Sequence, residues 1–313
     1  VRIEGREVDM RISTVPTLYG ESVVIRLLDQ GGVPLDFVEL GFDGRLLRQV
    51  EALLARPQGI ILVTGPTGSG KTNTLYAALE RLNTPEKKIL TVEDPVEYQL
   101  AGINQIQVRP NIDLTFANAL RSILRQDPDI IMIGEMRDTE TAAIAVQSAL
   151  TGHKVLSTLH TNDAPSSVTR LLDMHLQDYL LTSTLDGILA QRLVRRLCPH
   201  CRTPYRPDPE WVRETGLDRV AGTGDVTLYR ATGCDRCENT GYWGRSTILE
   251  LLVMSEPLRR VILESRDAEA IRRVALAEGM VPMREDGLRK ALAGVTTVEE
   301  VERVTQATEH AVV

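Results

Sequence analysis

The sequence predicts an α/β protein built on a mainly parallel sheet, and three observations carry that prediction. From Gly59 onward, short apolar runs ("IILVTG", "KILTVED", "DIIMIGE", "KVLSTLH") alternate with stretches of helical period ("NTLYAALERL", "FANALRSILRQ", "TETAAIAVQSAL"). Strands that pair side by side through crossover helices give this alternation. The first of these runs passes directly into a glycine-rich loop and then a helix. Two pairs of cysteines interrupt the pattern once, between residues 198 and 245.

The elements follow in order. In residues 2–28, apolar positions alternate in "IEGREVDMRI" and recur in "ESVVIRLL", around the turn-like "TVPTLYGE"; this reads as the tail of a small antiparallel β domain, residues 1–30. Gly31, Gly32 and Pro34 mark a linker at 31–41. The α/β core is expected at 42–197, a cysteine subdomain at 198–245 and a helical region at 246–313. In that last region Gly279 stops one helix and Thr297-x-x-Glu300 forms a capping box for another. The chain starts at Val1 with strand alternation already under way, so it is expected to be a fragment of a longer protein.

Composition bounds the function. A chain of 313 residues, 42% hydrophobic and 25% charged, is globular and of two-domain size. A net charge of −7 and 4% aromatics argue against a protein that neutralises nucleic-acid phosphates and stacks bases, so no nucleic-acid partner is expected. No apolar run reaches transmembrane length and no signal segment opens the chain.

The segment "GPTGSGKT", comprising Gly65, Pro66, Thr67, Gly68, Ser69, Gly70, Lys71 and Thr72, fits the phosphate-binding pattern G-x-x-x-x-G-K-[ST] between a strand and a helix. Its glycines let successive N–H groups turn inward around a phosphate, and the helix aims its positive end at the same place. Lys71 is expected on the β- and γ-phosphates of ATP, and the Thr72 hydroxyl on Mg²⁺. Two further strands end in acids: Glu93, Asp94 and Glu97 in "ILTVEDPVEY", and Glu135 in "IIMIGEMRD", where Gly134 takes the place usual for a metal-holding Asp. Ligands of such sheets lie beyond the carboxyl ends of the strands. Glu93 and Glu135 are therefore expected to share the metal's water shell and the attacking water; solvated strand-end carboxylates are the plain alternative. His153 and His160 bracket the strand in "TGHKVLSTLHTND", either as structural residues or as sensors of the γ-phosphate or of a neighbouring subunit.

Cys198-Pro-His-Cys201 and Cys234-Asp-Arg-Cys237 present two C-x-x-C knuckles, the spacing of a closed four-sulfur zinc site with a structural role. Disulfides are the weaker alternative in a chain without a signal segment, and His200 is expected to be a bystander. The basic run Arg192, Arg195 and Arg196 reads as a solvated helix face, with contact to acidic lipid or a membrane partner as the minority reading.

The segments "VDMRISTVPTLYGESVVIRLLD", "GPTGSGKTNTLY", "TVEDPVEY", "LRQDPDIIMIGEMRD", "TGHKVLSTLHTNDA" and "MREDGLRKALAGVTTVEEV" together resemble the secretion ATPases of type II secretion and type IV pilus assembly over essentially the whole chain. The resemblance implies a RecA-like P-loop NTPase domain with a mixed, mainly parallel sheet, preceded by the remnant of a small PAS-like β-rich domain and carrying a tetracysteine zinc insert. It implies Glu93 as catalytic base and Glu135 on the magnesium side, roles that are exchangeable. It also implies Arg11, Arg26, Arg121 and Arg125 as phosphate contacts across a domain or subunit boundary. A homo-hexamer is implied, cytoplasmic and peripheral to the inner membrane through secretion-apparatus proteins, with ATP, Mg²⁺ and Zn²⁺ as cofactors. "QRLVRRLCPHCRTPYRPD" and "ENTGYWGR" look closest to the type II secretion branch, which powers protein export; a pilus-extension ATPase is the alternative, and a nucleic-acid translocase a more distant one.

Overall fold

A computed structural model of the chain describes residues 2–3, 6–29, 35–222 and 225–305; up to residue 29, side chains are described only for 10 and 12–25. The first strands, β1 (Arg2–Ile3), β2 (Arg6–Thr17) and β3 (Gly20–Asp29), form an antiparallel sheet. β2 and β3 make a long hairpin closed by Leu18 and Tyr19. Two short helices follow, α1 (Phe37–Leu40) and α2 (Gly44–Leu54), each started by an aspartate, Asp36 or Asp43, whose carboxylate accepts from first-turn N–H groups. α1 lies inside the stretch expected as a linker, yet Phe37 and Phe42 are buried edge to face in the core.

The core then unfolds in the expected alternation: β4 (Gly59–Thr64), α3 (Lys71–Leu82), β5 (Ile89–Glu93), β6 (Asn104–Gln107), α4 (Phe116–Ile123), β7 (Ile130–Ile133), α5 (Thr139–Leu150), β8 (Lys154–Leu159), α6 (Ala164–Asp173), α7 (Asp178–Thr184) and β9 (Leu185–Leu197). The cysteine-bearing segment holds β10 (Thr203–Tyr205), α8 (Pro209–Glu214), α9 (Leu217–Ala221) and β11 (Leu228–Arg230); β12 (Tyr242–Val253) leads back. The chain continues through α10 (Glu256–Ser265), α11 (Ala268–Ala277), α12 (Met283–Leu292) and α13 (Val298–Thr305).

Seven strands form one sheet in the order β12-β9-β4-β8-β7-β5-β6, parallel throughout except for the β12–β9 pair. Strands buried on both faces are largely apolar along their length, which is why β4 and β7 read as continuous runs, while β8 buries Lys154, Ser157 and Thr158 among its apolar residues. Alternate residues divide between two cores. Ile60, Leu62, Ile131 and Val155 pack with α4, α5 and α6, while Ile61, Val63, Met132 and Leu156 pack with α2 and α3. This alternation fixes the strand register, because a one-residue slip would exchange the two sets. Among the described residues no helix is long and apolar enough to cross a membrane.

Two local expectations change. The run Arg192, Arg195, Arg196 lies on strand β9, not on a helix. β9 is paired on both sides, and Arg192 is only 6% exposed, donating to the backbone carbonyl and Oδ1 of Asn162. Arg195 is bonded to Glu300 and stacked over the Tyr242 ring. At Thr297-x-x-Glu300 the Thr297 hydroxyl does accept from the Glu300 N–H, but the Glu300 carboxylate turns to Arg195 and Arg303. Gly279 sits after α11 at φ 90°, the left-handed stop expected of it.

Candidate functional site

The parallel strands bring their carboxyl ends to one edge of the sheet, and the loop 65–70 leaves β4 there. Gly65 has φ 150°, and a side chain at that position would meet the Gln191 carbonyl oxygen at 2.5 Å and the Ser69 hydroxyl at 2.6 Å. The loop is thus seated directly on β9. Gln191 supports it from beneath: its Nε2 donates to Ser69 O at 2.7 Å, and its Oε1 accepts from the Thr74 hydroxyl at 2.8 Å. α3 begins at Lys71 behind Gly70, which offers no side chain to cap the first N–H groups. These donors, with the positive end of the helix dipole, make an anion cradle.

Lys71 Nζ donates to the carbonyls of Gly65 at 2.8 Å and Pro66 at 3.1 Å, curling back over the loop. Burial, reinforced by Arg192 and opposed by Glu135, brings its ammonium down to about 8. Ser69 Oγ is buried with no hydrogen-bond partner among the described residues, an orphaned polar atom within the cradle. The loop faces a cavity of about 540 Å³, also lined by Glu93, Asp94, Glu97, Gly134, Glu135 and His160. That volume lies in the range of small-molecule and cofactor sites. The cradle, the lysine and the hydroxyl of Thr72 at the cavity wall form a donor set that fits a magnesium-bound triphosphate.

Glu135 is paired with Arg137, and His160 Nε2 lies 3.2 Å from its Oε2. Burial works against its ionisation, but Arg137 and His160 outweigh it and hold the carboxyl below the usual range. Gly134 packs against the end of β5. A Cβ there would sit 3.3 Å from Val92 O and 3.4 Å from Glu93 Cα, so the usual aspartate would crowd the neighbouring strand. Glu93 lines the cavity but is only 3% exposed, and its two oxygens accept from Tyr76, Thr91 and Gln105.

Arg121, on α4, and Arg125, just beyond its end, lie exposed outside the cavity wall; Arg121 pairs with Glu140, and Arg125 Nη1 donates to Arg121 O at 2.9 Å. The side chains of Arg11 and Arg26 lie outside the described residues; their backbones pair across the hairpin. His153 caps the end of α5, its Nδ1 2.9 Å from Ser148 O. Three residues that sequence reasoning missed belong to the site: Tyr76 on α3, Gln191 on β9, and Arg245, which reaches the cavity wall from β12. No local pattern marks them: Tyr76 sits on the helix that follows the loop, and the sheet order brings Gln191 and Arg245 to it.

The four cysteines gather into a second site. All four Sγ atoms lie within 4.8 Å of one another, with Cys198–Cys234 at 4.0 Å, Cys201–Cys237 at 3.8 Å and Cys234–Cys237 at 3.7 Å. Four thiolates bound at about 2.3 Å to one tetrahedral zinc would stand about 3.8 Å apart. All four are free thiols. Burial resists ionisation of Cys237, but the N–H groups of Cys234 and Gly241, donating to its sulfur at 3.3 and 3.2 Å, help bring the thiol down to about 6. His200 stands outside the sulfur cluster, beside Trp243 and Arg236.

Comparison with known proteins follows the same lines. The family model for Type II/IV secretion system protein matches residues 1–303. Type II secretion system protein E of Xanthomonas campestris pv. campestris is 59% identical over 306 residues, 98% of this chain and 54% of its own length. Type II secretion system ATPase E of Vibrio cholerae serotype O1 is 51% identical over 98% of this chain and 60% of its own. The type IV pilus assembly ATPase PilB of Thermus thermophilus is 50% identical over 94% of this chain and 33% of its own. The chain thus spans little more than half the length of these type II relatives. Among solved structures, the pilus retraction motor PilT with bound ADP superposes with a TM-score of 0.66 at 29% identity, over 94% of this chain and 73% of PilT. The Legionella pneumophila ATPase DotB shares the fold, with a TM-score of 0.67 at 23% identity over 96% of this chain and 72% of DotB.

Proposed function

The chain belongs to the type II/IV secretion system protein family, and on that premise we propose that it is the motor portion of an ATPase that powers protein export by type II secretion. The observation that carries the reading is the preformed phosphate cradle with Lys71 at its mouth and acids from two neighbouring strands across the cavity. ATP would occupy residues 65–72, and Lys71 would exchange the carbonyls of Gly65 and Pro66 for the β- and γ-phosphates. When bound beside Thr72, Mg²⁺ supplies charge neutralisation on the phosphate oxygens.

Glu135 is the acid best disposed to orient the attacking water, since it is ionised and its strand end faces the cavity. His160, bonded to it, would report whether the γ-phosphate is present. Glu93, favoured by family resemblance for the water, is almost wholly buried and accepts from three protein donors, against two at Glu135. Arg11, Arg26, Arg121 and Arg125 would reach phosphates only from another domain or subunit, in keeping with a homo-hexamer. The four cysteines would hold a structural Zn²⁺. The ADP bound by PilT supports a nucleotide in this fold. We assign the protein to the cytoplasmic side of the inner membrane, docked through secretion-apparatus proteins.

Purified chain supplied with zinc and magnesium should bind ATP and release phosphate without stimulation by DNA, and Lys71→Ala should weaken ATP binding by at least 100-fold. Absence of both binding and release in the parent protein would overturn the reading. Pilus extension is the second reading, supported by PilB; deletion of the coding sequence separates the two, since an export motor's loss abolishes secretion and leaves pili in place.

A further inference from the structure

We propose that Tyr76, Glu93 and Gln105 form a positioning network that fixes the acid-bearing loop 94–98 over the phosphate cradle, and that Glu93 serves the reaction through this loop and not by contact with the water. The proposal rests on the ATPase reading of the cavity.

A carboxylate buried at the end of β5 is tolerated only where hydrogen bonds replace its water. Glu93 has three such bonds. Its Oε2 accepts from the Tyr76 hydroxyl, and its Oε1 accepts from the Thr91 hydroxyl and from Gln105 Nε2 at 3.1 Å. A carboxylate offers about four lone-pair directions, so little acceptor capacity is left for a substrate water. Burial and the neighbouring Glu93 push the Tyr76 phenol far above its ordinary range, so it stays protonated and remains the donor.

The partners of Glu93 also hold the loop. The Tyr76 oxygen accepts from the Glu97 N–H at 3.2 Å. Gln105 Nε2 donates to Tyr98 O at 2.9 Å, and its Oε1 accepts from the Leu100 N–H at 2.7 Å. Three backbone groups, at Glu97, Tyr98 and Leu100, are therefore held by Tyr76 and Gln105, both of which donate to the one buried carboxylate. Tyr76 and Tyr98 pack edge to face at 5.9 Å. Because Tyr76 belongs to α3, whose first residue is Lys71, the helix that grips the phosphates and the loop that carries Asp94 and Glu97 share one hydroxyl. Asp94 and Glu97 line the same cavity as the cradle, and side chains placed around a reacting centre need such support.

The test uses the full chain with zinc and magnesium. Tyr76→Phe keeps the ring and deletes the hydroxyl; kcat should fall about 10-fold or more while KM and the dissociation constant of an ATP analogue stay within about twofold. Glu93→Gln should lose a similar factor and leave the acid limb of the kcat/KM pH profile in place, and the double variant should be no worse than the poorer single variant. Without nucleotide, the Glu97 amide should exchange hydrogen about 10-fold faster in Tyr76→Phe, and the Leu100 amide likewise in Gln105→Leu. The proposal is overturned if these amides exchange as in the parent. It is equally overturned if Glu93→Gln removes the acid limb with a loss of about 1,000-fold while Tyr76→Phe retains parent kcat, the pattern of a general base. Should the parent release no phosphate, the ATPase reading fails by itself, and the exchange rates still decide the network.

Discussion

The tetracysteine cluster and the nucleotide cavity are built in opposite ways. The cluster draws on two four-residue knuckles, each folded by its own turn, and its ligand geometry is closed. The cavity is assembled from the ends of β4, β5, β7 and β8, with supporting groups from α3, β9 and β12, and it stays open. One is specified by spacing along the chain, the other by the order of strands in a sheet. A site of the first kind should fail as a folding unit, and a site of the second kind should fail as chemistry while the fold survives.

The sharpest way to break that contrast is a double dissociation. Binding of a structural zinc is worth on the order of 10 kcal/mol in apparent free energy. Chelation, or Cys198→Ser, should therefore lower the melting temperature markedly and release the metal in a dye assay. Lys71→Ala should instead weaken ATP binding by about 100-fold or more with the melting temperature within about 2 °C of the parent, a residual typical of partly exposed sites. If either variant moved both readouts together, the two sites would not be separable as described.

A smaller effect tests the open site alone. Lys71 is held near 8 without ligand, and phosphate beside it favours the ammonium. Binding should thus take up a proton where the lysine is otherwise neutral, so affinity is full below about pH 8 and falls up to tenfold per unit above it. Calorimetry in buffers of different ionisation enthalpy reads the uptake; absence of any uptake at pH 9 would contradict the assignment.

The smallest effect concerns the strand between the sites. Burial resists ionisation of Glu300, but Arg303 and Arg195 outweigh it and hold its carboxyl at about 2 against an ordinary 4.5. Its contribution is therefore present above pH 4.5 and is lost as pH falls toward 2. Glu300→Gln should cost about 1–3 kcal/mol at pH 7 and progressively less in acid, measured by denaturant unfolding.

The same contrast explains what the sequence disclosed. The eight residues of the phosphate loop and the two cysteine knuckles are contiguous, so their chemistry is legible without a fold. The alternation of runs and helices foretold the parallel sheet because strands buried on both faces, such as β4 and β7, are apolar at successive positions. Arg192 departs from the solvated face expected of it because β9, paired on both sides, buries polar residues in the same run as apolar ones. Gln191, Tyr76 and Arg245 carry no local mark, and the burial of Glu93 depends on partners from α3 and β6. Their roles exist only once the sheet is ordered.

β9 has one further consequence. It carries Gln191 beneath the phosphate loop and runs without interruption to Leu197, next to Cys198, while the register slip in this pair falls on β12. At about 3.3 Å per residue, the extended strand spans about 20 Å from Gln191 to Leu197. Such a strand resists stretching, so the cysteine-bearing segment and the phosphate loop are kept at a set distance along β9.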